Sequence, residues 1–315
     1  MPFDFSLVTS PFRMQPGLRR VASEDSQLTP TLPNSRHLRE KMAVLSSFPE
    51  QALLSTPGFD AAPVLATLAA EAARRPPAGF VVDDDSGVEA RAPLLGWSVR
   101  RRMPEGDGDP AIGALLTALP ASERAMALLC LAFEEDFAVL DGDTATVPWL
   151  AVCLPSRWAP AEKLGRHFAE IHTPVADSAT LVAASASLAR LVTGAERWER
   201  FVWTISADPH LNQHPTQGAS AWPAGIDADA LAAHAAFRSE RQTFVPIAGS
   251  RRAIFTIHVE SVPLVAAVST ADAARRLHDA VASMSPAVLS YRGLTDARDR
   301  FLAWLANRAA QPSPG

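Results

Sequence analysis

At 315 residues the chain is long enough to bury a full core, in one large domain or two small ones. Its composition is that of an ordinary soluble globular protein, 48% hydrophobic and 20% charged. A net charge of −5 with scattered basic residues argues against a dedicated nucleic-acid surface, and no apolar run reaches the roughly 18 residues of a membrane span. Arginine supplies 27 of the 29 basic residues, so the two lysines, Lys41 and Lys163, stand out. Cys130 and Cys153 sit in apolar surroundings, LLCLAF and LAVCLP, and cannot alone complete a four-ligand zinc or iron–sulfur site. Two buried free thiols fit a reducing cytoplasm, and MPFDFSLVTSPFRMQPG lacks the charged and apolar regions of a signal peptide.

Residues 1–35 are rich in proline and polar residues and are expected to wrap the body as extended chain. Helices are expected over 36–47 and 61–75, the second stopped by Pro76-Pro77. Residues 79–99 read as a strand, an acidic turn and a strand. A helix with Ser122 as N-cap runs to about 133, and 134–156 form two strands around Asp141-Gly142-Asp143. The apolar run Trp149–Leu154 marks a central strand. A helix follows from Pro160 to about Ile171, ended by Pro174. Asp177 or Ser178 then caps a long helix through ERF at 199–201, with a break at Gly194, before a short strand at 202–206.

The stretch 207–227 is a long polar loop with three prolines, followed by a helix at 227–238. Residues 241–264 form the clearest hairpin, turning at Gly249-Ser250. Thr270 caps a helix to about Met284, Pro286 breaks the chain, a last helix spans 294–309, and QPSPG frays. Antiparallel strand pairs with helices inserted between them give an α+β class. No glycine-rich phosphate loop stands at a strand–helix junction, so a nucleotide fold has no support.

None of the eight histidines forms a zinc-helix pattern. His172, at the end of its expected helix, could serve as the single side-chain ligand that haem iron needs, or could simply be satisfied by helix-end carbonyls. The loop pair His210 and His214 lacks a third ligand of standard spacing, and Ser156 and Ser239 lack a nucleophile setting. In RSERQTF, alternation puts Arg241 and Thr243 on one face and Glu240 and Gln242 on the other. So dense a polar set, with Arg238, forms an ion-pair network or meets a charged ligand such as a carboxylate.

Three runs carry a family resemblance: PSRW-x-P-x-EKLG-x5-IH-x-PV at 155–175, RF-x-W-x-I at 200–205, and R-x-ERQT at 238–243 with AIFTI at 253–257. With PFRMQPGL near the start and LSYRGL at 289–294, they resemble the haem-dependent oxidative N-demethylases, in particular the alpha subunit of dimethylamine monooxygenase. The resemblance implies a single haem-binding domain over 1–315, with a PAS-like antiparallel sheet and flanking helices. It implies one b-type haem, O2 as oxidant, a small methylated amine as substrate, and formaldehyde as product. Electrons would come from NADPH through a separate flavin and 2Fe–2S reductase subunit, with no nucleic-acid or membrane partner.

Carried to this chain, the resemblance makes His172 the first choice of iron ligand and His214 the alternative. Trp158, Lys163 and Arg238 become cofactor-pocket residues, and Glu240, Arg241 and Gln242 become catalytic-pocket candidates. The chain departs from the family pattern at Val202, where asparagine is expected, near His167, where a proline is expected, and at His258, where arginine is expected. If Val202 and His258 line the pocket, its polarity has changed, and a haem or ligand sensor or scaffold without demethylase activity is the competing reading.

Overall fold

The computed structural model describes residues 3–22, 25–83, 88–177, 179–218 and 220–311. Among these, the strands in chain order are β1 (Arg19–Arg20), β2 (Leu53–Ser55), β3 (Val81–Asp83), β4 (Val88–Ala92), β5 (Trp97–Arg100), β6 (Met103–Gly106), β7 (Asp136–Asp141), β8 (Thr146–Ala151), β9 (Trp198–Ser206), β10 (Ala236–Ile247) and β11 (Arg252–Pro263). They form a large sheet of order β1-β9-β10-β11-β7-β8-β2 and a small one of order β3-β4-β5-β6. Every paired neighbour is antiparallel. The α+β class therefore holds.

The β10–β11 hairpin is the spine of the large sheet. Its register runs without a slip from Ala236↔Pro263 to Ile247↔Arg252, and Gly249 supplies the left-handed φ of 72° in the turn. The two faces of the sheet bury different partners. Phe137, Trp149, Ala151, Val245 and Ile254 pack with helices Ala62–Ala72 and Arg124–Ala132 in one core. Ala138, Leu140, Leu150 and Phe244 point the other way, toward Phe168, Ile171 and the helix Ser185–Val192. The C-terminal helices Ala228–His234, Ala271–Ala282 and Arg298–Ala310 bury Trp203, Ile205 and Phe237 at the β9 end. Each fully buried side chain of this size contributes about 1.5–3 kcal/mol.

Several expectations need correction. The helix expected over 160–171 is a 3-10 turn, Pro160–Glu162, then a separate short helix, Phe168–His172. Between them the backbone serves the edge of β8 instead: Gly165 N–H donates to the Val147 carbonyl at 2.7 Å and Phe168 N–H to that of Ala145 at 2.7 Å. Gly165 takes a φ of +71° there, which a helix interior does not allow. The long helix after 177 is two short ones, Ala179–Ala183 and Ser185–Val192, and Trp198–Phe201 belong to β9 because β10 pairs them from Trp198↔Phe244 to Phe201↔Arg241. Asp177 has a φ of +54° and accepts from Ser285 Oγ at 2.9 Å, while Ser178 lies outside the described residues.

Ser122 is not the cap of its helix, which starts at Arg124 with Glu123 at its N-cap position and no side-chain bond there. The helix expected to reach 238 ends at His234, and Ala236 opens β10. The last helix begins at Arg298, preceded by an unforeseen helix, Pro286–Tyr291. The small sheet has four strands where two were expected: the 3-10 turn Pro93–Leu95, ended by Gly96 at φ 70°, separates β4 from β5, and Arg101 and Arg102, with φ of 47° and 65°, turn the chain into β6. The acidic turn at 84–87 and the tail after Gln311 lie outside the described residues. Cys130 and Cys153 are buried and free, as expected. No described helix is long and apolar enough to cross a membrane.

Candidate functional site

Alternation along the spine lays out a wall of side chains on one face. Arg238 sits opposite Thr204, Glu240 opposite Val202, Gln242 opposite Arg200 and Ile257, and Phe244 opposite Phe255. Above this wall lies a cavity of about 410 Å³, closed by the segment 156–175. Cofactor and small-molecule sites fall at about 300–1,000 Å³. Ala138, Leu140, Leu150, Phe244, Phe255 and Ile257 give it an apolar floor, and Trp158, Phe168, Ile171 and Val175 face them. Met14, Gln15, Tyr291 and Arg292 close one side.

His172 lines this cavity with its tautomer fixed. A carbonyl can only accept, so Nδ1 donates to the Phe168 oxygen at 2.7 Å, one helical turn back. Nε2 is left with its lone pair and no hydrogen-bond partner among the described residues. Burial lowers the His172 pKa, and the nearby Arg200 and Lys163 add to the lowering against the pull of the Phe168 carbonyl. The ring packs on Phe168 with centroids 4.2 Å apart. A neutral imidazole held through one nitrogen and free at the other is the arrangement metal-ligating histidines adopt.

The polar side of the cavity is strongly cationic. Arg157, Lys163, Arg200, Arg238 and Arg292 line it, against the single carboxylate of Glu240 among the described lining residues. These cations differ in what they already hold. Arg238, 2% exposed, donates Nε to Ser156 Oγ at 2.9 Å and its terminal nitrogens to the carbonyls of His210 at 2.9 Å and Leu211 at 2.8 Å. It therefore fastens the 207–213 loop to the sheet, helped by Glu40, whose Oε2 accepts from the Leu211 and Asn212 N–H groups. Ser156 Oγ in turn donates to Glu240 Oε1, and Gln242 Nε2 donates to Glu240 Oε2 at 2.6 Å. The carboxylate is thus held from both oxygens.

Arg200 and Arg292 are less satisfied. Each has a buried Nε with no hydrogen-bond partner. Arg292 spends its other donors on the Trp203 carbonyl and on Met14 Sδ, lies 4.6 Å over the Phe12 ring, and burial pushes its pKa down to about 10. Burial lowers the Arg200 pKa as well. A buried donor left unpaired costs about 1–3 kcal/mol, which an incoming acceptor would recover. One open imidazole nitrogen, an apolar wall and unpaired guanidinium donors fit haem: the first suits the iron, the second the macrocycle, the third the propionates.

The residues singled out from sequence divide cleanly. His172, Trp158, Lys163, Arg238, Glu240 and Gln242 all line the cavity. Arg241 does not; it lies on the other face, where Nε pairs with Glu199 Oε2 at 2.8 Å. His214 is buried away from the cavity, with Nδ1 2.8 Å from Thr216 Oγ1, capping the turn Pro215–Gln217. Of the departures, Val202 lines the cavity, whereas His258 sits on the opposite face and His167 caps the short helix through Nδ1, which accepts from Ala169 N–H at 3.1 Å. Sequence reasoning did not single out Arg200, Tyr291, Arg292, Met14 or Gln15. The signal was present, since all five fall inside the runs RF-x-W-x-I, LSYRGL and PFRMQPGL.

No curated protein matches the chain. A comparison with known families matches residues 36–302 to the family described as "haem-dependent oxidative N-demethylase, alpha subunit-like". That match spans most of the 315 residues and encloses every cavity residue except Met14 and Gln15. The chain belongs to the haem-dependent oxidative N-demethylase alpha subunit-like family.

Proposed function

We propose that this chain is the haem-binding subunit of a monooxygenase that removes a methyl group from a small methylated amine such as dimethylamine. The observation that carries the reading is His172, whose Nδ1 is committed to the Phe168 carbonyl while Nε2 stays open on a cavity where Arg200 and Arg292 each keep an unpaired Nε. Bound b-type haem would supply the oxygen chemistry. The net reaction takes an N-methylamine, O2, two electrons and two protons to the shorter amine, formaldehyde and water. The electrons would derive from NADPH through a separate flavin and 2Fe–2S reductase subunit, in the cytoplasm.

The chain's own residues have distinct tasks in this reading. His172 would hold the iron, and Trp158 would line the macrocycle's pocket. Arg200 and Arg292 would hold the propionates through paired donors, with the Lys163 ammonium as a further positive charge. Arg238 keeps the 207–213 loop in place and shapes the wall. Glu240 accepts the ammonium proton of the protonated amine at an oxygen oriented by Ser156 and Gln242, so that the N-methyl group is presented in one orientation. The aromatic and aliphatic floor excludes water from the reacting end. The domain is a single PAS-like body with additions.

Val202 favours a second reading. It stands beside Glu240 in the register and lines the cavity with an apolar surface where the family resemblance implies asparagine. A haem or ligand sensor without demethylase activity would retain the cofactor wall and lose that polar group. Purified protein, loaded with haem and supplied with NADPH, a flavin and 2Fe–2S reductase and dimethylamine, distinguishes the two. Formaldehyde release in proportion to NADPH consumed supports the monooxygenase. A Soret band without formaldehyde from any secondary or tertiary methylamine supports the sensor, and absence of the band refutes both.

A further inference from the structure

The face of the large sheet opposite the cavity carries a second group of ligating side chains. His37 comes from the helix Arg36–Ser47, Glu134 from the link entering β7, and His258 and Glu260 from β11. Phe255 and Ile257 point into the cavity, so the alternation of β11 sends His258 and Glu260 the other way. The ligating atoms of all four lie within 4.8 Å of one another. His258 Nε2 is 3.0 Å from Glu134 Oε2 and 3.7 Å from Glu260 Oε1, and His37 Nδ1 is 3.7 Å from Glu134 Oε1. Ligands around tetrahedral zinc, at about 2.0–2.2 Å from the metal, stand about 3.3–3.6 Å apart.

A second, independent feature singles out a cation. His37 Nε2 is 2.8 Å from the Val259 carbonyl, so this nitrogen donates and Nδ1 is the ring nitrogen left for the cluster. Nδ1 faces the Glu134 carboxylate at 3.7 Å, a separation beyond hydrogen-bond length. A positive charge belongs between them, either another ring proton or a metal ion. An N–H donated to a backbone carbonyl on the far side is also the outer contact that fixes zinc-ligating histidines. The strong cations close by are committed elsewhere: Lys41 to Asp136 at 3.2 Å, and Arg241, which stands opposite His258 in the register, to Glu199 at 2.8 Å.

We propose that His37, Glu134, His258 and Glu260 form a binding site for zinc or a similar divalent transition ion. Two imidazoles and two carboxylates suit such an ion, whereas calcium and magnesium prefer all-oxygen sets. Four protein ligands leave no open position, which marks a structural ion rather than a catalytic one. It would clip the first helix to the back of the sheet whose front holds the cavity. Glu260, with 43% of its side chain exposed, is the most accessible of the four. The site stands apart from the haem reading, because none of its residues lines the cavity.

The test uses the full chain, stripped of metal with a chelator and titrated calorimetrically with zinc chloride, with thermal melts alongside. One zinc per chain is expected, with micromolar or tighter affinity, a raised melting temperature, and no comparable response to magnesium or calcium. Glu260→Gln changes an exposed group and keeps the shape, so its metal-free melting temperature should stay near that of the parent. Its zinc affinity should fall at least about tenfold, as should that of His258→Gln. Zinc-edge absorption spectroscopy should report nitrogen and oxygen neighbours only. Absence of zinc binding, or binding of equal strength in both variants, overturns the proposal; sulfur neighbours overturn it as well.

Discussion

Lys41→Met removes the more deeply buried of the two lysines. The Lys41 ammonium is fully buried, 3.2 Å from Asp136 Oδ1, and donates to the Phe133 carbonyl at 3.0 Å. Asp136, 1% exposed, also accepts from Leu154 N–H at 2.6 Å. At 3.2 Å the gross attraction is about 5 kcal/mol for an effective dielectric of about 20. Removing one partner strands the other charge, and such changes cost about 3–5 kcal/mol. At about 2.1 cal/mol/K per residue over 315 residues unfolding as one unit, that lowers the melting temperature by about 5–8 °C. Adding Asp136→Asn keeps the acceptor for Leu154 and removes the stranded charge, so the double variant should regain more than half of the loss.

The same pair sets a pH dependence. Burial lowers the Lys41 pKa, but Asp136 and the nearby thiols outweigh it, and the net shift is upward from the ordinary 10.5. A raised folded-state pKa contributes stability that is complete below the unfolded value and is lost as pH rises through the folded one. Denaturant melts should therefore show the gap between parent and Lys41→Met constant from pH 6 to about 9 and closing only above about 10.5. A single variant as stable as the parent, or a double variant no better than the single, would refute the reasoning.

Other changes address the cavity. Arg200→Met should weaken haem retention about tenfold or more, because a charge-assisted bond to a propionate is lost, and should leave the haem-free protein as stable as before or more so. Haem transfer to apomyoglobin and haem-free melts read the two effects; a destabilised variant with unchanged haem retention would contradict it. Glu240→Gln should keep the Soret band while raising KM for a protonated amine at least about tenfold, measured by formaldehyde release; an unchanged KM would remove Glu240 from substrate binding.

The spine of the fold was legible in the sequence where local pattern and tertiary pairing agree. RQTFVPIAGSRRAIFTIHVESV alternates cleanly and turns at a glycine, and the β10–β11 hairpin follows it. The 36–47 helix, capped by Ser35, has the same agreement. Trp198–Phe201 failed because the helical pattern was carried past the break at Gly194 into a segment that β10 claims by pairing. The 160–171 stretch failed because its backbone satisfies the edge of β8, a long-range contact with no local trace. For the site, His172, Glu240 and Gln242 were accessible through motif and alternation. The role of Arg238 as a loop fastener and the convergence of Arg200 with Arg292 required knowledge of which strands adjoin. Likewise, His37 and His258 lie 221 positions apart and meet only through the fold.

The absorption spectrum of the full chain reconstituted with haem, compared with that of His172→Ala, tests most directly whether His172 holds the iron. The parent should show a Soret band at one haem per chain, and His172→Ala should lose or shift it, with free imidazole restoring the parent spectrum. A parent without a Soret band, or a variant whose spectrum is unchanged, would contradict the assignment of the cavity to a His172-ligated haem.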